Sequence, residues 1–164
     1  MRLSLLFLLA WSSLKTYAQL STSGNQIVNT RGDSVRLTGV NWFGFETEYF
    51  VVKGLEKRHH KAILDDVVGK LGFNTLRLPF SAEAIRPGAS VAAGVLTANP
   101  EFNGMTPLQI MDEIIDYCGV IGLSVFLDRH SSVHNGLTKE PIWYIPGHSY
   151  YTEDQWVADW VSIV

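Results

Sequence analysis

Short strand-like runs of apolar residues alternate with longer segments in which apolar residues recur at helical spacing, and this alternation predicts an α/β fold. The predicted strands are residues 35–41, 73–79 and 124–128. The predicted helices are residues 56–71, residues 106–119 and a third that begins at Thr152. Because a helix separates each strand from the next, the strands should lie parallel in one sheet.

The region before these elements predicts a β-hairpin. Residues 27–28 and 34–40 flank the segment Asn-Thr-Arg-Gly-Asp at 29–33, whose glycine is typical of a hairpin turn. Residues 20–25 form a polar lead-in.

Two helices carry start signals, since Thr106 with Gln109, and Thr152 with Gln155, have the spacing of a capping box. Gly72 should end the first helix. The expected buried faces comprise Ile63, Leu64, Val67, Val68 and Leu71 in the first helix, Ile110, Met111, Ile114, Ile115 and Cys118 in the second, and Trp156, Val157, Trp160 and Val164 in the third.

Polar side chains occur near the carboxyl ends of the predicted strands. Asn41 ends the first strand, Arg77 lies near the end of the second, and residues 128–130 (Asp-Arg-His) end the third. Long insertions at 81–105 and 131–151 follow the second and third strands. In a (β/α) barrel the site is built from strand ends and the loops that follow them, and this arrangement agrees with that pattern.

Arg77 and His130 are the candidate catalytic residues. A guanidinium keeps its charge, so Arg77 in an apolar strand needs a carboxylate, either in a structural ion pair or as a clamp on a catalytic acid. His130 could bind a sugar hydroxyl, orient a neighbouring acid, or be a satisfied core histidine. The other histidines, His59, His60, His134 and His148, are predicted to be solvated.

Aromatic residues cluster beyond the strand ends and in the loops. They are Trp42, Phe43, Phe45, Trp143, Tyr144, Tyr150 and Tyr151. A single ring there could pack the mouth of a barrel or stack on a pyranose ring. As a set they favour a carbohydrate cleft, and Asn41, Trp42, Trp143 and Tyr144 are the predicted substrate-binding residues.

Composition narrows the class of protein. The 164 residues are 46% hydrophobic and 18% charged, which predicts one globular domain, and a net charge of −3 gives no electrostatic footprint for nucleic acid. The strands lack a glycine-rich phosphate loop, which argues against a dinucleotide-binding fold. No cofactor is expected. No metal-ligand spacing is evident. The single cysteine, Cys118, is predicted to be a buried, inert thiol.

The first 18 residues have the pattern of a secretory signal peptide. Arg2 precedes an apolar run at 3–11, and small residues precede a cleavage point after Ala18. The run is far shorter than the ~20 residues of a spanning helix. We therefore expect a secreted, extracellular protein whose mature part, residues 19–164, has no membrane anchor.

Four segments resemble glycoside hydrolase family 5, in particular its secreted endoglucanases (cellulases). They are LTGVNWFGFET at 37–47, LGFNTLRLPF at 71–80, MTPLQIMD at 105–112 and IGLSVFLDRH at 121–130. The resemblance implies a (β/α)₈ TIM barrel, of which the chain would hold the first three βα units and the N-terminal hairpin. It also implies retaining hydrolysis of β-1,4-glucan by a protein that is monomeric when complete. Arg77 would support the nucleophilic glutamate, His130 would line the site, and Trp42 would lie at a sugar subsite.

Two features depart from the family pattern. Relatives often continue the third motif with Arg-Pro-Asp, where this chain has Ser-Ser-Val at 131–133. Neither catalytic glutamate is identifiable, because the family's acid/base glutamate follows an asparagine and no Asn-Glu pair occurs in the sequence. The glutamates judged to be wrongly placed for either role are Glu46, Glu48, Glu83, Glu101, Glu140 and Glu153.

The chain is therefore expected to be the N-terminal part of a longer enzyme, poorly stable and inactive by itself. The alternatives are another β-glycan hydrolase, such as a mannanase or β-1,3-glucanase, or a truncated protein that binds glycan without cutting it.

Overall fold

A computed structural model describes residues 20–136, 143–144, 147 and 152–163. These residues belong to two compact units, Met1–Arg36 and Leu37–Val164. The predicted signal peptide at 1–18 lies outside the described residues, as do His148, Tyr150, Tyr151 and Val164.

The first unit contains a hairpin, but one turn earlier than predicted. Strand β1 (Ser21–Ser23) pairs antiparallel with β2 (Gln26–Val28). Gly24 opens the two-residue turn with φ 59°, the left-handed backbone that such turns require. The predicted lead-in at 20–25 is therefore wrong. The predicted turn at 29–33 does form, but the chain returns to β2 through one isolated bridge, between Val28 and Ser34.

The second unit contains a three-stranded parallel sheet in the order β3 (Gly39–Asn41), β4 (Thr75–Ser81), β5 (Ser124–Ser131). A Cβ at Gly39 would lie 2.2 Å from the Thr75 carbonyl oxygen, so β3 can approach β4 this closely only with glycine there. The predicted strands are present and parallel. Strand β5 runs past its predicted end at residue 128, because pairing with β4 continues to Ser81 and Ser131.

In the described part of the chain, three α-helices accompany the sheet: α1 (His60–Gly69), α2 (Pro107–Val120) and α3 (Glu153–Ile163). A short 3₁₀ helix, Pro100–Phe102, precedes α2. Both hydrogen bonds of the predicted capping box at Thr106 and Gln109 are present. Helix α1 begins later than predicted because residues 54–58 form a separate turn, in which Lys57 and Arg58 N–H donate to the Gly54 carbonyl.

Among the helices, α3 differs most from the prediction in which of its residues are buried. Thr152 Oγ accepts from Gln155 N–H, but the Gln155 side-chain nitrogen donates to Asp159. Asp159 is 4% exposed, whereas Val157, predicted to be buried, is 48% exposed. Side chains two positions apart on a helix point about 200° apart around its axis. Because Asp159 faces inward, Val157 faces outward.

The hydrophobic core includes residues from β4, α1 and α2. Leu76, Leu78 and Phe80 of β4 are fully buried, and Val125 and Leu127 of β5 pack against the same core. Most of the expected helix residues contribute to it, whereas Leu71, beyond the end of α1, is exposed. Because side chains alternate along a strand, the intervening residues of β4 and β5 project from the opposite face. We call that opposite face the inner face of the sheet.

Candidate active site

Strand register brings Arg77 and His130 together on the inner face. Arg77 lies between the core residues Leu76 and Leu78, and Asp128 and His130 alternate with the core-packed residues of β5. In the parallel ladder Arg77 is opposite Phe126, and the next residue on that face of β5 is Asp128. The three side chains Arg77, Asp128 and His130 meet there, and we call them the inner-face cluster.

Asp128 is the centre of this cluster. Its Oδ2 accepts a hydrogen bond from Arg77 Nη2 and lies 2.7 Å from His130 Nδ1. A carboxylate can only accept, so His130 carries a proton on Nδ1, and its Nε2 is left for another partner. Arg77 Nη2 is also 3.2 Å from His130 Nδ1. Both of these nitrogens donate to the Asp128 carboxylate, so the short distance between them is not a hydrogen bond.

Within the described residues, Asp128 provides the carboxylate that Arg77 needs. The ion pair is partly open, since the side chains of Arg77 and Asp128 are 30% and 24% exposed. An open cluster can present a fixed planar cation and an imidazole to a polar ligand. Sequence reasoning did not single out Asp128, although the period-two alternation of β5 places it on the same face as His130.

Asn41 and Trp42 lie beside the cluster on the neighbouring strand. Asn41 is exposed and pairs in register with Arg77, and Trp42 N–H donates to the Arg77 carbonyl at 3.0 Å. The Trp42 indole Nε1 donates to the Lys53 carbonyl at 2.8 Å. Because that hydrogen bond occupies the polar edge of the indole, Trp42 offers a ligand mainly its apolar ring face.

Trp143 and Tyr144 contact each other and helix α3. Their ring centroids are 4.2 Å apart, and Trp143 also meets Trp156 of α3 at 5.0 Å. Arg129 Nη1 donates to the Trp143 carbonyl at 3.3 Å. Within the part of the chain that the structure describes, their ring contacts run to each other and to α3, not to the inner-face cluster.

A buried ion pair fixes α3 against β5. Arg129 donates from Nε and Nη2 to Asp159 Oδ2 at 3.1 and 3.0 Å, and the two side chains are 3% and 4% exposed. Asp159 Oδ1 also accepts from the Gln155 side chain at 2.9 Å. The buried guanidinium needs this carboxylate, which explains why α3 turns Asp159 towards the sheet.

Three glutamates on the loops already have structural partners. Glu46 accepts from Gly44 N–H at 2.7 Å, and Glu48 accepts from the Asn135 side chain at 2.6 Å. Glu83 accepts from His134 N–H and lies 2.7 Å from the His134 ring. Burial works to raise the pKa of Glu83, but the His134 backbone and ring together hold that pKa below its usual value. A carboxylate committed in this way is a poor general acid.

The prediction that His60 is solvated is wrong. His60 is 2% exposed, because Asn99 binds both its backbone N–H and its ring. Burial lowers the pKa of this imidazole. His59 and His134 are exposed, as predicted. The prediction for Cys118 is confirmed, since the thiol is buried and burial raises its pKa to about 12.

Comparison with known proteins shows which family and which proteins this chain resembles. Residues 28–164 match the family model "Cellulase (glycosyl hydrolase family 5)". An endoglucanase of Paenibacillus polymyxa is 36% identical over 149 residues, covering 91% of this chain and 36% of that protein. The major extracellular endoglucanase of Xanthomonas campestris pv. campestris is 36% identical over 157 residues, covering 96% of this chain and 31% of that protein.

Solved structures agree with these sequence matches. The endocellulase of Pyrococcus horikoshii, solved with cellotetraose, matches with a TM-score of 0.73 at 36% identity, covering 89% of this chain and 38% of that one. The catalytic domain of the Xanthomonas endoglucanase matches with a TM-score of 0.74 at 37% identity, covering 86% and 39%. The fold is thus that of a (β/α)₈ barrel, in which β3, β4 and β5 are consecutive parallel strands. This chain spans about a third of the length of its curated relatives.

The described residues include no helix that is both long and apolar enough to cross a bilayer.

Proposed function

This chain belongs to glycosyl hydrolase family 5, the cellulase family, and on that basis we propose that it forms part of an enzyme that hydrolyses β-1,4-glucan with retention of configuration. Because the chain spans only part of the length of its relatives, the proposal concerns the complete barrel protein. By that name we mean a protein that carries this sequence together with the rest of the barrel.

The inner-face cluster is the observation that carries the proposal. Retaining hydrolysis needs two carboxylates about 5–5.5 Å apart, one to protonate the leaving oxygen and one to attack the anomeric carbon. Arg77 and His130 supply neither group, and we assign them supporting roles. We propose that Arg77 supplies a fixed positive charge to the reacting carboxylates of the complete barrel. We also propose that His130, whose Nδ1–H donates to Asp128, offers Nε2 to a sugar hydroxyl.

Sugar binding is assigned to the residues around the cluster. Trp42 packs partly against the core and has its indole N–H committed to Lys53, and we assign the exposed part of its ring to stacking on a pyranose. Asn41, exposed at the end of β3, can bind a hydroxyl. Trp143 and Tyr144 are proposed as a second aromatic surface for sugar beside α3, where Trp143 is about half-exposed.

We further propose that residues 1–18 direct secretion and are removed, which leaves a monomeric extracellular enzyme. The extracellular location named for the Xanthomonas relative and the apolar run at 3–11 support this assignment. N-terminal sequencing of secreted material should begin at Gln19, and the enzyme should elute as a monomer in size-exclusion chromatography.

The test is a substrate panel. The complete barrel protein should cleave a soluble β-1,4-glucan with the highest kcat/KM, and proton NMR should detect the β-anomer as the first product. A preference for mannan or β-1,3-glucan would replace the proposed substrate. Saturable binding of β-1,4-glucan with no cleavage of any β-glycan would favour a binding protein over an enzyme.

A further inference from the structure

We infer that Trp156 of α3 is a positioning residue, which sets the orientation of the Trp143 ring for sugar binding. The inference rests on the proposed function, because it takes the surface formed by Trp143 and Tyr144 as a site for a β-glycan. Trp143 is 47% exposed, whereas Trp156 is half-buried. Trp143 can therefore meet a sugar ring from solvent, and Trp156 acts on the sugar through Trp143.

The main chain at Trp143 is anchored to the sheet independently of its ring. Arg129 of β5 donates from Nη1 to the Trp143 carbonyl at 3.3 Å. The guanidinium is itself fixed, because its Nε and Nη2 donate to the buried Asp159 carboxylate. A hydrogen bond to a carbonyl holds the backbone but leaves the side-chain torsions free to choose between rotamers. The orientation of the Trp143 indole therefore depends on what its ring contacts.

Two other rings contact that indole among the described residues. The Tyr144 ring lies 4.2 Å from it between centroids, with the planes at 56°. The Trp156 ring lies 5.0 Å away at 65°, close to the edge-to-face geometry that aromatic pairs prefer. Tyr144 is the next residue along the chain, so it moves together with Trp143. Trp156 belongs to a different element and can fix the ring relative to the fold.

Trp156 is joined to the hydrophobic core by a second ring of the same helix. Its centroid is 6.1 Å from that of Trp160, which lies four residues later and so on the same helix face. Trp160 packs against the core and meets Phe80 of β4 edge to face at 5.8 Å. Phe80 is fully buried. Packed rings thus run without interruption from the core to the exposed Trp143.

A purely structural Trp156 would behave differently from a positioning one. If Trp156 only packs α3 against the core, its loss lowers stability and leaves sugar affinity unchanged. If it positions Trp143, its loss weakens sugar binding, and that effect disappears once the Trp143 ring is absent. A double-mutant cycle measures this dependence of one residue on the other.

The cycle compares Trp143→Ala, Trp156→Leu and the double variant in the complete barrel protein. KM and kcat are measured on the β-glycan that the wild type cleaves best, and a binding constant replaces KM if no glycan is cleaved. Loss of one aromatic contact should raise KM about fivefold in Trp143→Ala and about threefold in Trp156→Leu. Because the contact holds the sugar equally in the ground and transition states, kcat should stay within about twofold. The double variant should match Trp143→Ala.

Two controls separate positioning from stability. Trp156→Phe keeps an aromatic edge against Trp143 and should hold KM within about twofold of wild type. Val161→Ala removes a side chain of the same helix that is 74% exposed, and it should leave KM unchanged. Melting temperatures of all variants are measured in parallel, so that a loss of folded protein is not mistaken for a loss of affinity.

Four results would overturn the inference. They are an unchanged KM in Trp143→Ala, an unchanged KM in Trp156→Leu, a Trp156→Phe variant as impaired as Trp156→Leu, and a double variant whose increase equals the product of the two single increases. The last would give Trp156 a sugar-binding role separate from Trp143. The substrate panel tests the proposed function by itself. A preference for another β-glycan would change that proposal, and the cycle on the preferred glycan would still decide the role of Trp156.

Discussion

Replacement of Arg77 should separate activity from folding more clearly than any other substitution in this chain. Arg77→Ala removes the guanidinium that donates to Asp128, and among the described residues it leaves His130 as the side-chain partner of Asp128. Arg77→Lys keeps the charge but loses the planar fork. Because the guanidinium lies on the inner face and outside the hydrophobic core, both substitutions should lower activity more than stability.

The expected losses of stability and activity follow from the exposure of the ion pair and from the proposed role of Arg77. Breaking a fully buried ion pair costs about 3–5 kcal/mol, and an exposed pair contributes about 0–1 kcal/mol. With 30% and 24% of the two side chains exposed, we expect Arg77→Ala to cost about 1–2 kcal/mol of unfolding free energy. Loss of one preorganised electrostatic group in an active site lowers turnover by about 10²–10³-fold, and we expect kcat/KM to fall by that amount.

The assay is kcat/KM on a soluble β-1,4-glucan, with urea unfolding followed by circular dichroism in parallel. Arg31→Ala is the matched control, because Arg31 also pairs with an aspartate, Asp33, but lies exposed in the first unit. That control should leave both quantities unchanged. Activity of Arg77→Ala within about threefold of wild type, which is about 0.6 kcal/mol, would remove Arg77 from the site. It would leave Arg77 as a structural ion pair.

Three further predictions concern the fold of the complete barrel protein. Asp159→Asn leaves the buried Arg129 charge uncompensated and should cost about 3–5 kcal/mol in urea unfolding, whereas a loss below about 1 kcal/mol would show that the pair is dispensable. Gly44→Ala should lower stability by more than about 2 kcal/mol, since φ is 143° and a Cβ would lie 2.2 Å from the Val51 carbonyl oxygen; an unchanged melting temperature would contradict this. Native Cys118, with its pKa near 12, should not react with a disulfide reagent at pH 8 and should react fully after unfolding; rapid reaction of the native protein would place the thiol at the surface.

The order of strands and helices could be predicted from local patterns because each element carries its own periodicity and end signals. The capping box at Thr106 is an example, since both partners lie within one turn. Element lengths could not be predicted in the same way. The end of β5 is set by the pairing of Ser131 with Ser81, and that partner is distant in sequence.

The site residues show the same difference between local signals, which could be read from the sequence, and distant contacts, which could not. Arg77 and His130 could be selected because a cation and an imidazole near strand ends are unusual in apolar strands. Asp128 was missed as their shared partner because only register shows which carboxylate meets Arg77. The inward face of α3 and the burial of His60 were misjudged for a similar reason. Each depends on a distant group, Arg129 in one case and Asn99 in the other.

A crystal structure of the complete barrel protein with bound cellotetraose would show whether the inner face is the active site. We expect the sugar chain to cross that face at the carboxyl ends of β3, β4 and β5. His130 Nε2 should lie within hydrogen-bond distance of a hydroxyl, and a pyranose ring should stack on Trp42. Cellotetraose bound with no contact to Trp42 or to the cluster of Arg77, Asp128 and His130 would contradict the assignment of this face as the active site.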